Sequence, residues 1–463
     1  MSTADIRNVL RGDGDRFIYL SSALAALNGL LFGFDTGIIS GAFLYINETF
    51  AMSPLVEGIV MSGAMAGAAA GAALGGKLAD TLGRKRLILL GAAVFFVGSL
   101  TMAVAPTVPV LVAGRLIDGV AIGFASIVGP LYISEIAPPR IRGSLTSLNQ
   151  LMVTVGILVS YFVNFAFADA GAWRWMLGTG MIPAVVLAIG MLKMPESPRW
   201  LFEHGREDEA AAVLQRTRQG DIDEELAEIQ ETVEKQSGTG IRELLKPWLR
   251  PALVVGLGLA VFQQITGINA VMYYAPTVLE STGFGDVTSI LATVGIGAIN
   301  VAATVVAIAL IDRVGRRRLL LTGIGGMIVT LIALGAVFYL PGFGDMQGIL
   351  ATGSLMLFVA FFAIGLGPVF WLLISEIYPL AVRGGAMGLV TVANWGANLL
   401  VSLTFPMLTA NVGKPSTFWL FGVFSLAALL FSYRYVPETK GRSLEAIESE
   451  LRENIGTTAE TAD

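Results

Sequence analysis

LADTLGRKRL, residues 78–87, returns as LIDRVGRRRL at 310–319. SEIAPPRIRG (134–143) returns as SEIYPLAVRG (375–384), and PES (195–197) as PET (437–439). The offsets are 232, 241 and 242, close to half of the 463 residues. Three motifs at nearly one spacing mean that the second half of the chain repeats the first. Each motif is polar and stands between long apolar runs, so the repeated unit is a set of membrane helices. Internal repeats of this kind are a mark of transporters, which hold their substrate near the bilayer midplane between the repeats.

A helix needs about 20 apolar residues to cross a bilayer core. Twelve runs qualify, at about 17–40, 55–79, 87–105, 109–134, 144–167, 173–194, 251–279, 287–311, 319–340, 347–375, 385–410 and 416–436. Pro54, Pro106, Pro109, Pro251 and Pro437 punctuate their boundaries, as residues that break helices should. The composition agrees. Charged residues make up 14% of the chain, against about 25% in a soluble domain, and the mean hydropathy is +0.72. Many of the 55 glycines fall in apolar runs such as GAMAGAAAGAALGG (63–76), where small residues let helices approach closely. The expected fold is an all-α membrane protein of two six-helix bundles. The bundles span 1–194 and 251–436, with a polar linker at 195–250 and a polar tail at 437–463. Within the polar segments, REDEAAAVLQRTR (206–218), DIDEELAEIQETVEKQ (221–236) and SLEAIESELRE (443–453) have the spacing of amphipathic surface helices.

Basic residues fix the expected orientation. The loops 80–86, 138–143, 312–318 and 379–384 are rich in Arg and Lys, as is the linker. The loops on the other side carry one basic residue, Lys414. Basic loops stay in the cytoplasm, which puts both termini there, and twelve crossings keep that parity. The N-terminal residues show no cleavage pattern, so the first apolar run reads as a retained helix rather than a signal peptide. The absence of cysteine excludes disulfides, thiolate metal sites and cysteine nucleophiles. No phosphate-cradling Walker sequence is present. No metal cluster or paired catalytic carboxylates stand out either. The sequence therefore implies no cofactor, no nucleic-acid partner and no enzyme chemistry.

Polar residues inside membrane helices are costly and rare, and each is a candidate for function. Asp35 lies in GFDTGIISG (33–41) and Arg115 in AGRLIDG (113–119). Desolvation favours the protonated acid, whereas a nearby cation favours the ionised one. An acid held between the two can take and release a proton, and guanidinium keeps its charge throughout. The plainer alternative is a static buried salt bridge. Gln263, Gln264 and Asn269 lie in QQITGIN (263–269), Gln150 in SLNQ, and Asn300 and Asn394 in other apolar runs. A carboxamide both donates and accepts, so it can grip neighbouring hydroxyls of a polar solute. Amides also bond helix to helix in membranes, and that alternative weighs most for Asn300 and Asn394. Gln264 and Asn269 are five apart and share a face only if the helix breaks, with Gly267 between them and Pro276 beyond. Trp371 and Trp395 lie inside their spans, away from the interfaces where membrane tryptophans gather, and could pack on the C–H face of a solute. Tyr273 and Tyr274 read as gate or packing residues.

The repeated basic and acidic motifs form a second constellation. Arg84, Glu135, Arg142, Glu196 and Arg199 belong to the first half, and Arg316, Glu376, Arg383 and Glu438 to the second. They read as an ion-pair latch that holds the bundles together when the carrier faces outward. His204, the only histidine, reads as a solvated loop residue.

The ordered set GRKR, GRRR, both SEI motifs, PESPRWL, QQITGINAVMYYAP, GPVFWLLISEIYP and VPETKGRS resembles the sugar porters of the major facilitator superfamily. The match runs from about residue 28 to 447. The resemblance implies two bundles that rock about a central hexose or pentose site. The acid at Asp35 is similar to that of the bacterial proton–sugar symporters, where facilitators have a neutral amide. The compact termini fit a prokaryotic protein. The resemblance thus implies a monomer in the cell membrane that imports a monosaccharide with a proton. A uniporter with a structural Asp35, sodium coupling, and a non-transporting sugar sensor are the alternatives. Asn394 departs from the glutamine common in those symporters, which leaves the sugar open.

Overall fold

The computed structural model describes residues 13–138, 141–218, 222, 226, 230, 246–344, 346–379 and 382–441. These are almost entirely helical. The first half contains α1 (Asp13–Phe50), α2 (Pro54–Leu82), α3 (Arg84–Ala103), α4 (Val108–Ile136) and α5 (Arg142–Ala168). Its sixth crossing is made of α6 (Trp173–Gly178) and α7 (Met181–Leu192). Two short helices, α8 (Pro198–Glu203) and α9 (Glu207–Thr217), follow at the surface. The second half contains α10 (Arg250–Ile265), α11 (Ile268–Glu280), α12 (Asp286–Val314), α13 (Arg316–Tyr339), α14 (Met346–Ile364), α15 (Leu366–Ile377) and α16 (Arg383–Tyr435).

Twelve crossings result. α16 has 53 residues, about 80 Å at 1.5 Å per residue, and a bilayer core is only about 30 Å thick. Gly413, at φ 82° inside it, is a turn that divides it into two crossings. The paired helices α10–α11 and α14–α15 are single crossings that are broken midway. Gly267 makes the first break, with φ 91°, a left-handed conformation that glycine adopts without strain. The break expected between Gln264 and Asn269 is therefore present. The second break, at Gly365, and the interruption of the sixth crossing were not legible in the sequence. α1 also differs from expectation. It continues ten residues past 40, since no proline interrupts 41–50 and the next stop is the loop before Pro54. The expected surface helix within 206–218 is α9, while those at 221–236 and 443–453 lie mostly or wholly outside the described residues.

Large apolar side chains face outward all round the molecule, among them Leu74, Ile182, Val329 and Leu430, each more than half exposed. Such a surface, on helices long and apolar enough to cross a membrane, fits a membrane-spanning protein. Inside, glycine sets the spacing of helices. A methyl group on Gly67 or Gly71 of α2 would strike a carbonyl of α4, and one on Gly119 or Gly123 of α4 would strike a carbonyl of α2. The two backbones therefore touch, and Arg115 lies one turn from that contact. Gly119→Val is expected to force them apart, at about 1–3 kcal/mol for overpacking. Gly76→Val should cost little, because open space surrounds Gly76. Thermal unfolding of both variants in detergent checks this: equal midpoints would refute the contact's importance.

Candidate functional site

The two halves meet from the midplane to the end away from the basic loops. Tyr161 of α5 donates to the Met272 carbonyl at 3.1 Å. Phe43 of α1 meets Tyr274 edge-on, with ring centroids 5.9 Å apart. Gly58 of α2 lies against the Leu403 carbonyl of α16. Toward the basic end, Gly143, Gly384 and Gly388 border open space, and Gln150 and Trp371 are partly exposed. Between the halves the interior is thus packed less closely toward the basic end.

The broken seventh crossing places its amides at this interior. Asn269 Nδ2 donates to Gln264 Oε1 at 2.6 Å, a reach made possible by the turn at Gly267. Gln264 Nε2 donates to Asn394 Oδ1 at 3.0 Å, and Asn394 Nδ2 donates to Gln263 Oε1 at 2.8 Å. Gln263 Nε2 donates to the Leu366 carbonyl at 3.2 Å, just past the second break. The network ties the seventh, tenth and eleventh crossings together. It also makes Gln263 and Asn394 partners of other protein groups, which is the interhelical role as much as the binding role. Gln150 and Asn300 make no hydrogen bond among the described residues. Their amides are the ones open to a ligand without breaking anything.

Trp395 is buried and packs on Phe32 of the opposite half, with centroids 5.3 Å apart and planes tilted by 58°. Its indole N–H has no partner among the described residues. Trp371 leans on Phe370 at 4.8 Å and keeps part of its surface free. Phe32 was not among the residues read from the sequence; a phenylalanine in an apolar run gives no signal. Tyr274 donates to the Ser402 carbonyl at 3.1 Å and stacks on Phe405, which makes it a packing residue.

The second group of polar residues lies among α1, α3 and α4. Arg115 Nη1 donates to Asp35 Oδ1, and the side chains are 0% and 2% exposed. Arg115 Nη2 reaches the Met61 carbonyl at 3.4 Å, and its Nε has no partner among the described residues. Asp118, one turn along α4, is 1% exposed and receives a bond of 3.3 Å from Ser99 Oγ. The sequence signal for Asp118 was its spacing of three from Arg115, which puts both on one helix face.

The charged motifs form two similar clusters, one in each half. Arg84 Nε and Nη2 grip both oxygens of Glu135, at 2.9 and 3.0 Å. Arg316 Nη2 donates to Glu376 at 2.9 Å. Glu196 accepts from the backbone N–H of Lys85 at 2.9 Å, and Glu438 from those of Arg316 and Arg317 at 3.0 and 3.2 Å. Each carboxylate thus caps the helix that follows a glycine with φ near 100°, Gly83 or Gly315. Arg199 pairs with Glu203 at 3.0 Å. Arg383 donates to the Tyr378 carbonyl at 3.1 Å. The side chain of Arg142 lies outside the described residues. Each of these ion pairs joins residues of one half, so in this conformation these contacts hold each bundle's end rather than bridge the two. His204 is exposed and stacks on Trp200 at 4.1 Å.

Gln264→Ala removes the centre of the amide network. A buried hydrogen bond left without its partner costs about 1–3 kcal/mol. Sugar affinity is therefore expected to fall about ten-fold or more, and titration calorimetry on the folded variant checks this. Unchanged affinity would remove Gln264 from the site.

Known proteins are similar to this chain over nearly its whole length. The glucose transporter GlcP of Staphylococcus epidermidis is 44% identical over 96% of this chain and 99% of its own length. The galactose-proton symporter of Escherichia coli K12 is 42% identical over 92% and 93%. The structure superposes on the partially occluded, inward-open xylose transporter XylE of E. coli with a TM-score of 0.83. The identity is 33%, and the match covers 92% of this chain and 100% of that one. Residues 22–451 match the family described as "Sugar (and other) transporter", and the chain belongs to that family.

Proposed function

We propose that this protein imports a monosaccharide, a hexose or a pentose, by proton symport and alternating access. The observation that carries the reading is the buried Asp35–Arg115 pair. It stands in the half opposite the amide network, across the same interior. A carboxyl buried beside a fixed cation is a proton switch. Protonation cancels the Asp35 charge and frees Arg115, which alters the contact of α1 with α4. α1 also carries Phe32, which touches Trp395 of the other half. Proton binding and the fit of the two halves are thereby coupled through one helix. The names of the relatives support sugar and proton as the cargo.

In this reading Gln264 and Asn269 bind sugar hydroxyls, with Gln150, Gln263, Asn300 and Asn394 around them and Trp371 and Trp395 against the apolar sugar face. The halves 1–194 and 251–436 rock as bodies around that site. Positive-inside logic sets both termini in the cytoplasm, and the protein works as a monomer in the cell membrane. The clusters of Arg84, Glu135, Glu196 and Arg199, and of Arg316, Glu376 and Glu438, come together with Arg142 and Arg383 when the basic end closes. They then favour the outward-facing state.

Uptake of labelled glucose, galactose, xylose and arabinose into proteoliposomes tests the function. A proton gradient is expected to drive accumulation of at least one sugar above its outside concentration. Equilibration without accumulation would instead mark a uniporter with a structural Asp35.

A further inference from the structure

The coupling region holds one cation and two acids. Asp35 has Arg115 as its counter-charge. Asp118 makes no ion pair among the described residues. Its Oδ1 is buried without any hydrogen-bond partner, and its Oδ2 has one hydroxyl donor, Ser99 Oγ, at 3.3 Å. A hydroxyl bound to a carboxylate sits at about 2.5–2.7 Å. The Ser99 contact is far longer, and an ionised acid left so poorly solvated at membrane depth costs several kcal/mol. The backbone makes space for this group: a methyl on Gly98 would collide with Asp118 Oδ1. The charged groups facing Asp118 are Asp35 from α1 and Arg115 from α4, while α3 offers Ser99, through its hydroxyl and its backbone N–H. Tyr273, from the opposite half, interacts with Asp35 and Arg115.

We propose that Asp118 is a second proton-holding carboxyl of the coupling site, and that Arg115 pairs with whichever of Asp35 and Asp118 is ionised. The assignment rests on the orphaned Asp118 oxygen, its spacing of one turn from Arg115, and the unpartnered Arg115 Nε. With Asp118 as the acid and Asp35 as the carboxylate, the triad is neutral. When Asp35 protonates, Asp118 can give up its proton and take Arg115 as its counter-ion, and the triad is neutral again. Asp35 takes its proton from the side away from the basic loops, and Asp118, a turn nearer the basic end than Arg115, gives its proton up there. Passage of the Asp35 proton to Asp118 restores the starting state, so one proton crosses per cycle. Arg115 is then never left as a lone buried charge while α1 moves. The proposal rests on proton coupling through Asp35.

Infrared spectroscopy of the purified protein tests the proton directly, apart from transport. The difference spectrum of wild type minus Asp118→Asn is expected to contain the C=O band of a protonated carboxyl. Ser99→Ala, which removes the hydroxyl donor and leaves the charges alone, should shift that band. In proteoliposomes, Asp118→Asn should shift the pH midpoint of gradient-driven uptake. A difference spectrum without the acid band overturns the proposal, as does a pH profile equal to wild type. Wild-type uptake that ignores the gradient would sink the coupling reading instead, and the infrared result would still stand.

Discussion

Asp35→Asn is expected to abolish uphill sugar accumulation while sugar counterflow continues. The amide has the shape of the acid and can still accept the bond from Arg115 Nη1, but it carries no charge and binds no proton. It imitates the protonated carrier permanently. The linked amides proposed to grip the sugar, Gln264, Asn269 and Asn394, lie in the other half, so sugar can still exchange. A static salt bridge predicts a different outcome. Removing one partner of a buried pair costs about 3–5 kcal/mol when the other charge stays uncompensated. Arg115 is 0% exposed, so that loss would appear as poor folding and the failure of every transport mode. Asp118 makes the first outcome available, since its ionisation would give Arg115 a new counter-ion. Both measurements belong on one preparation of the variant. Accumulation that persists under an imposed proton gradient would show that Asp35 is not the coupling site.

How much of this was legible beforehand follows from what sequence records. Crossings are set by apolar length, and the twelve could be read because bilayer thickness dictates them. The break at Gly267 could be read from chemistry, as two amides five residues apart need a turn to meet. The break at Gly365 could not, because nothing in AIGLGP distinguishes it from the many glycines that serve packing. Asp35 and Arg115 were visible because charge in an apolar run is rare. Asp118 was equally visible but hid behind its neighbour, where a spacing of three reads as an ordinary intrahelical pair. Glu196 and Glu438 show what a repeat leaves open. Their motifs looked like parts of a bridge between bundles, but here each caps a helix within its own half. Sequence repeats reveal that two sites are alike, not which partner each one chooses.

The two charged clusters are alike in sequence yet differ in burial, and their variants should differ accordingly. Arg84→Ala is expected to destabilise the protein far more than Arg316→Ala. The side chains of Arg84 and Glu135 are 4% and 6% exposed, and both guanidinium bonds to Glu135 are short. Without Arg84, buried Glu135 keeps only the Ser197 hydroxyl and the weaker attraction of Arg199, and losing the paired cation of a buried charge costs up to about 3–5 kcal/mol. Arg316 and Glu376 are 12% and 21% exposed, with one bond between them. Glu376 also keeps the Thr439 hydroxyl as a donor. Water and that hydroxyl soften the loss, which places Arg316→Ala nearer to the range of about 0–1 kcal/mol for surface pairs. Thermal unfolding midpoints of the two variants, in one detergent and at one ionic strength, decide the matter. Equal midpoints would mean that burial does not set the strength of these pairs. A wild-type midpoint for Arg84→Ala would leave the Arg84–Glu135 pair no role in holding the first bundle together.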